Sequence, residues 1–176
     1  MNTEERARKK LFIFLLFVIP ILFLVYMYRD ELPFFARVVD DEGPVVRIGN
    51  VPIRVEVADT EALREQGLSG RTSLGHVNGM LFIFDRSDYH QIWMKNMYLV
   101  IDVIWIDDQF KVIDITRSLR PDSFPKTFEP SSPARFVIET NEHYAESFGI
   151  KIGDTVTVPP ELIPIDLRPP KDAVPQ

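Results

Sequence analysis

The chain has 176 residues, 45% of them hydrophobic, which is enough for one compact domain and short of the usual length for two. Its formal net charge is −6, so it lacks the basic excess that neutralises nucleic-acid phosphates, and no nucleic-acid partner is expected. The chain contains no cysteine, which excludes disulfides, thiolate metal ligands and cysteine nucleophiles.

The amino terminus predicts a membrane anchor. Residues 1–10 form a basic tail, and residues 11–28 are apolar or aromatic apart from Pro20. As a helix, this run would extend over about 27 Å, close to the thickness of the hydrocarbon core of a bilayer. The basic flank favours a cytoplasmic N-terminus. We therefore expect a single-pass membrane protein whose C-terminal domain lies outside the cytoplasm.

A cleaved signal peptide is the alternative interpretation of this run. Signal peptides have shorter apolar regions and end in small residues, whereas this run ends with Tyr26, Met27, Tyr28 and Arg29. An uncleaved signal-anchor is therefore favoured. The first 28 residues hold four basic and two acidic side chains, so the exported part keeps 16 basic and 24 acidic residues and is distinctly acidic.

Composition divides the rest of the chain into three parts. Residues 29–44 mix proline, glycine and acidic residues with little periodicity, which is typical of a linker. The folded domain is predicted at 45–158. Residues 159–176 contain six prolines and no sustained pattern, which indicates a tail that wraps the surface or stays disordered.

The domain begins with a predicted hairpin and a short helix. The stretch VVRIGNVPIRVEVA indicates two strands around Gly49 and Asn50, a turn pair that accepts positive φ. Thr60 is placed to cap the helix that follows, and Gly67 is placed to end it in the left-handed conformation.

The remaining segments are mostly strands. GMLFIF, HQIWMK, VIDVIWID and FKVIDIT follow one another, and a meander is the simplest arrangement. ARFVIET is a further strand, Asn141 is a candidate cap for a second short helix closed at Gly149, and DTVTV ends the domain. The fold class predicted is β-rich α+β, with a small curled or barrel-like, mostly antiparallel sheet and two short helices.

One connection is longer than most in a compact domain. Residues 119–133, LRPDSFPKTFEPSSP, contain four prolines, which stiffen the segment without making it regular. A packed Ω-like loop held by Phe124 and Phe128 is one interpretation, and the rim of a binding groove is the other.

Asp102 is the anomaly of the central strands. VIDVIWID is apolar on both faces, as expected of a central strand, and an ionised carboxylate there costs several kcal/mol unless it is paired. Lys95 is the nearest cation in the sequence. If Lys95 pairs opposite Val100, its side chain shares a face with Asp102, and we favour this register because it supplies the carboxylate with a cation.

These segments resemble the domain of unknown function 192 (DUF192) family. The resemblance is carried by GLSGRTSLGHVNGMLFIF, IWMKNMYLVIDVIWID, ARFVIET and GIKIGDTV, between about residues 53 and 158. It implies a small β-rich domain, often behind an export signal or membrane anchor, with no established activity. The motif positions fall on Arg71, Gly79, Met80, Trp93, Met94, Lys95, Asn96, Asp102 and Glu139. Val100 departs from the family, which usually has proline there, so the bend that proline would impose is in doubt.

Two interpretations of the polar motif residues stay open. In the structural one, Lys95 and Asp102 form a buried ion pair under a tryptophan lid, which fixes the register of the sheet. In the functional one, Lys95 and Asn96 hold an anionic or carbonyl group against the flat wall of Trp93. The candidate binding residues are Arg71, Trp93, Lys95, Asn96 and Asp102.

Catalytic and metal signatures are not found in the sequence. A catalytic lysine must lose its proton, and a nearby aspartate favours the charged ammonium instead. His76, His90 and His143 lie far apart without metal-ligand spacing, so no metal or cofactor is expected. We predict a ligand-binding or envelope-protein interaction module. The alternative is a hydrolase-like or other enzyme that acts on envelope material through Lys95 and Asp102.

Overall fold

The computed structural model describes residues 14, 16–20, 43–74 and 78–168, in two compact units, Met1–Glu42 and Gly43–Gln176. In the first unit, Phe14 and residues 16–20 are helical, and most of their side chains are exposed. No helix among the described residues is both long and apolar enough to cross a membrane. The predicted basic tail, most of the predicted anchor, nearly all of the linker and residues 169–176 lie outside the described residues.

The second unit is a β-rich α+β domain whose main sheet curls into a half-barrel. Its strands are β1 (Val45–Ile48), β2 (Val51–Ala58), β3 (Asn78–Asp88), β4 (Ile92–Trp93), β5 (Ile101–Ile106), β6 (Val112–Leu119), β7 (Thr127–Phe128), β8 (Ala134–Asn141) and β9 (Val156–Thr157). Its helices are α1 (Glu61–Gln66) and α2 (Tyr144–Ser147), with single 3-10 turns at Pro121–Ser123, Pro160–Leu162 and Ile165–Leu167. The predicted fold class is confirmed for this unit.

Seven strands form the main sheet in the order β6-β5-β8-β3-β2-β1-β9, and β4 pairs with β7 in a separate ribbon. All neighbours are antiparallel except β2 and β3, which are parallel and need the crossover through α1. The predicted meander is therefore wrong, since β8 lies between β3 and β5. Seven of the eight residues of β8 are buried, and a strand apolar on both faces needs a neighbour on each side and cover above and below.

The predicted first hairpin and the predicted ends of the first helix are confirmed. Strands β1 and β2 form an antiparallel hairpin through Gly49, whose φ is 57°. Helix α1 begins after Thr60, whose hydroxyl accepts a hydrogen bond from the Leu63 N–H at 3.3 Å. It ends at Gly67, as predicted, but with φ 48° and ψ −134° this glycine is not in the left-handed conformation that the sequence predicted.

The two faces of the sheet carry two apolar cores. Because side chains alternate along a strand, Ile104 and Ile106 of β5 belong to one core, while Val103 and Trp105 belong to the other. All six residues of β5 are buried, which confirms its predicted central position. The first core also holds α2, and the second lies beneath α1 and the β4–β7 ribbon.

The C-terminal strap, defined here as residues 159–168, packs on the first core. Leu162, Ile163 and Leu167 contact this core, and Asp166 bonds to Arg135 of β8 at 2.9 Å. Over these residues the predicted tail wraps the surface rather than being disordered.

A candidate ligand-binding cleft

Asp102 is fully buried and is satisfied by two backbone amides. Its Oδ1 accepts from the Ser118 N–H at 3.0 Å, and its Oδ2 accepts from the Ala145 N–H at 3.1 Å. Two residues of β6 stand opposite Asp102 in a bulge, and Ser118 has a φ of 53° there. Ala145 lies in the first turn of α2, where backbone N–H groups have no partner within the helix. Asp102 therefore fixes the bulge and caps α2.

This arrangement replaces two predictions. Asn141 does not cap α2, because the cap position is His143 and the helix begins at Tyr144. The free N–H of Ala145 in its first turn donates to Asp102 of the sheet. The predicted pairing of Lys95 with Asp102 is also wrong. Strand β4 pairs with β7 and not with β5, so the ladder that would bring the two side chains together does not exist.

Lys95 lies in the exposed turn after β4. Its backbone carbonyl accepts from the Ser69 hydroxyl at 3.0 Å, and its ammonium lies 5.7 Å from the centroid of the Trp93 ring. Asn96 follows with a φ of 57°, and its carbonyl accepts from the Gly70 N–H at 2.9 Å. These bonds tie the turn to the segment that follows α1. They do not bring Lys95 to the buried carboxylate of Asp102, which it was predicted to neutralise.

A cleft of about 410 Å³ lies among α1, β3, β8 and the segment that carries β4. We call it the Glu139 cleft. Its walls combine aromatic and aliphatic side chains with charged groups of α1, and its lining includes Glu61, Arg64, Glu65, Leu68, Phe82, Phe84, Ile92, Trp93, Met97 and Glu139.

Glu139 is the buried acid of this cleft. It lies on β8 opposite Met80 of β3 and Val103 of β5, on the face of the second core, and only 4% of its surface is exposed. Burial raises the pKa of Glu139 to about 8, because the charged carboxylate loses its hydration, and the guanidinium of Arg71 opposes this rise. Among the described residues, none forms a hydrogen bond with the Glu139 side chain.

Arg71 already has a partner. Its guanidinium forms a two-pronged ion pair with the Glu56 carboxylate, with Nη2 at 2.6 Å from Oε2. The hydrogen bond from Arg71 holds the pKa of Glu56 below its usual range, and the same bond raises the pKa of Arg71. Arg71 thus acts on Glu139 through space while its hydrogen bonds go to Glu56.

Trp93 is the predicted site residue that enters the cleft. Its side chain is 41% exposed and lines the cavity, and the β4–β7 pairing places Trp93 opposite Thr127. Lys95 and Asn96 line a neighbouring depression with Ala62, Glu65, Gln66 and Ser69. Asp102 lies on the opposite face of the sheet. Whether the five predicted residues bind a ligand stays a prediction.

Glu139 was not among the predicted site residues, although it belongs to the family motif. The signal was present in ARFVIET, where a glutamate follows three apolar residues of a strand buried on both faces. The argument that singled out Asp102 applies equally to Glu139, since each is a carboxylate in sheet core.

The chain belongs to the DUF192 family, described as an uncharacterized ACR, whose model matches residues 44–158. Two solved structures share the fold. One is from Sinorhizobium meliloti 1021 and was provisionally named a transcription regulator: it is 28% identical, with a TM-score of 0.62 over 65% of this chain and 92% of that one. The other, a protein of unknown function from Novosphingobium aromaticivorans DSM 12444, is 32% identical, with a TM-score of 0.61 over 65% of this chain and 83% of that one. Comparison with curated proteins gives no match.

Proposed function

We propose that this domain is a binding module that takes a small organic molecule into the Glu139 cleft. The observation that carries the proposal is an open cavity of about 410 Å³ with apolar walls and one buried acid that has no hydrogen-bond partner among the described residues. Ligand sites in proteins typically have this size and this combination of apolar walls with a few polar groups. A concave cleft is better suited to a small ligand than to the flat surface of a protein partner.

Other functions have less support. A reaction through Lys95 and Asp102 requires the two groups to share a site, and they lie apart, with Asp102 committed to backbone amides. Regulation of transcription, suggested by the name of one structural neighbour, requires contact with DNA, and the acidic composition of the chain disfavours it.

The binding proposal is tested by thermal-shift screening of the full chain with small metabolites. A ligand at about 100 times its Kd stabilises the folded state by about 2.7 kcal/mol and raises Tm measurably. Trp93→Ala should lose most of the shift. Tyr98→Ala is the matched control, since Tyr98 is also an exposed aromatic residue and lies outside the cleft. Equal shifts in the two variants would count against the cleft as the site.

We also propose that residues 11–28 anchor the chain in a membrane and that the domain lies outside the cytoplasm. Support comes from the apolar run, from its basic flank and from the exposed apolar side chains of Phe14, Leu16, Phe17 and Ile19. Cell fractionation should find the full chain in the membrane fraction, and protease added to intact spheroplasts should degrade the domain. Protection of the domain from protease would contradict the orientation.

A further inference from the structure

The side chain of Glu139 lacks a hydrogen-bond donor inside the described part of the cleft. Glu139 is 4% exposed as a whole residue, lines the cavity and has no hydrogen-bond partner for its side chain among the described residues. A buried carboxylate without donors is costly, and a cation that also donates hydrogen bonds is the group that best relieves this cost.

The cations of the described residues near the cleft are committed elsewhere. Arg71 holds Glu56, and Arg64 on α1 donates to the backbone carbonyls of Asp59 and Ile83, each at 2.7 Å. The other charged groups of the lining, Glu61 and Glu65 of α1, are acidic. The residues of β3 and β4 in the lining are Phe82, Phe84, Ile92 and Trp93, which carry no charge. The lining therefore repels an anionic ligand and leaves room for a cationic one.

The aromatic walls also suit a cation. The Arg64 guanidinium lies 5.4 Å from the centroid of the Phe84 ring, and the Lys95 ammonium lies 5.7 Å from that of Trp93. Both rings line the cleft, but the Phe84 ring also stacks on His90, with 3.6 Å between the ring centroids. Trp93 and Lys95 are both exposed, so the Trp93 ring is the one that a ligand cation can reach.

We infer that the ligand of the Glu139 cleft carries a protonated amine, which pairs with the Glu139 carboxylate while its apolar body lies against Trp93. This inference rests on the proposed function of the cleft as a small-molecule site. It adds the chemical class of the ligand and the role of Glu139 as its counter-ion.

A proton balance follows from this pairing. The pKa of about 8 keeps Glu139 mostly as the neutral acid at pH 7 in the empty cleft. When an ammonium ion binds, the carboxyl O–H bond breaks, the ammonium keeps its own protons, and one proton passes to solvent. Affinity then rises by up to about tenfold per pH unit below pH 8 and levels off above it. Arg71, which is itself paired with Glu56, favours the ionised form, and Arg64, Glu61 and Glu65 are the other charged groups that line the cleft.

The test uses three probes that share one body: 3-phenylpropylamine, 3-phenylpropan-1-ol and 3-phenylpropanoate. Binding to the full chain in detergent is measured by titration calorimetry at pH 7, in phosphate and in Tris, with a detergent blank. We expect the amine to bind at least tenfold more tightly than the alcohol or the acid. The heat should differ between the buffers in proportion to the release of nearly one proton.

Each alternative result has a distinct meaning. If the alcohol or the acid binds as tightly as the amine, the amine inference is overturned and the cleft remains a binding site. If none of the three binds, both the inference and the proposed function lose their support. If the amine binds without releasing a proton, Glu139 is not its counter-ion.

Glu139→Gln supplies the variant test, with Glu129→Gln as the matched control because Glu129 is an exposed glutamate outside the lining. Glu139→Gln should lose the preference for the amine and the proton release, and Glu129→Gln should keep both. An unchanged amine preference in Glu139→Gln would overturn the inference. The proton release of the wild-type chain decides the matter independently if Glu139→Gln does not fold.

Discussion

Two buried carboxylates on neighbouring strands differ in their hydrogen bonding. Asp102 of β5 stands beside Thr140 of β8, while Glu139 stands beside Val103, so the two acids point to opposite faces of the sheet. Asp102 accepts two backbone hydrogen bonds, whereas Glu139 accepts none from the described residues. The first is a structural brace, and the second is available to a ligand.

Asp102→Ala should lower the free energy of unfolding by about 2–5 kcal/mol, because it leaves the N–H groups of Ser118 and Ala145 buried without an acceptor. Lys95→Ala should change it by no more than about 0.5 kcal/mol, since Lys95 is an exposed turn residue. Urea unfolding of both variants checks this difference. Equal losses in the two variants would contradict the role of Asp102 as a structural brace.

Glu139 should make the protein less stable as the pH rises. Its pKa is about 8 in the folded state and 4.5 ordinarily, so the folded state holds the extra proton between these values. The free energy of unfolding should therefore fall by up to about 1.4 kcal/mol per pH unit in this window. The Glu139 contribution is fully present below pH 4.5 and is lost as the pH passes through 8.

Glu139→Gln should remove this slope and be more stable than the wild type at pH 8.5. Chemical unfolding at pH 5, 7 and 8.5 measures both quantities. A wild-type slope that survives in Glu139→Gln must come from other groups, and the raised pKa of Glu139 would then be wrong.

At the scale of residues, the sequence showed that the buried carboxylate of Asp102 needs a partner, but it did not show which groups provide one. The cost of a carboxylate in sheet core can be read from VIDVIWID, and it correctly requires a partner for Asp102. The partner proved to be a pair of backbone amides in a bulge and a helix start, which depend on the path of the chain and have no signature in residue types. The same reading of ARFVIET would have brought out Glu139.

At the scale of elements, strand positions were predictable and strand partners were not. Alternating apolar residues placed β1 and β2, and runs of apolar residues on both faces placed β5 and β8, because such patterns report which faces of a segment are buried. The pattern does not report which strand lies alongside. Strand β8 enters between β3 and β5, and β4 leaves the main sheet for β7, so contacts distant in sequence decide the topology.

The β4–β7 ribbon is the element that positions Trp93. Phe128 of β7 stands opposite Ile92, which lines the cleft, and packs on the second core. The packed-loop interpretation of residues 119–133 thus holds for Phe128 but not for Phe124, which is 46% exposed, and no residue of this segment lines the Glu139 cleft.

Phe128→Ala should therefore loosen the ribbon, lower the free energy of unfolding by about 1–3 kcal/mol and weaken ligand binding at Trp93. Phe124→Ala is the matched control and should do neither, because Phe124 is already largely exposed. Fluorescence of Trp93, recorded in a Trp105→Phe background, reports its surroundings in each variant. An unaltered Trp93 spectrum in Phe128→Ala would show that the ribbon does not position the ring.

At the scale of the domain, the C-terminal strap is bound to β8, an interior strand of the main sheet. Arg135 of β8 is only 6% exposed, and its Nη2 donates to Asp166 of the strap at 2.9 Å. Within the described residues, its buried Nε has no hydrogen-bond partner. A buried guanidinium with one carboxylate partner depends strongly on that partner.

Asp166→Ala should lower the free energy of unfolding by about 1–3 kcal/mol, because it strands the Arg135 charge inside the domain. Asp122→Ala breaks the pair with Arg120, in which both side chains are about 70% exposed, and should cost no more than about 1 kcal/mol. Urea unfolding at low and high salt separates the two cases. Salt should reduce the loss of stability in Asp122→Ala, because it screens the exposed pair, and should leave the loss in Asp166→Ala nearly unchanged, because the Arg135 charge is buried. If Asp166→Ala loses more stability than Asp122→Ala, and proteolysis within residues 159–168 becomes faster, the strap is an integral part of the fold. If the two variants lose equal stability, the strap does not contribute to the stability of the domain.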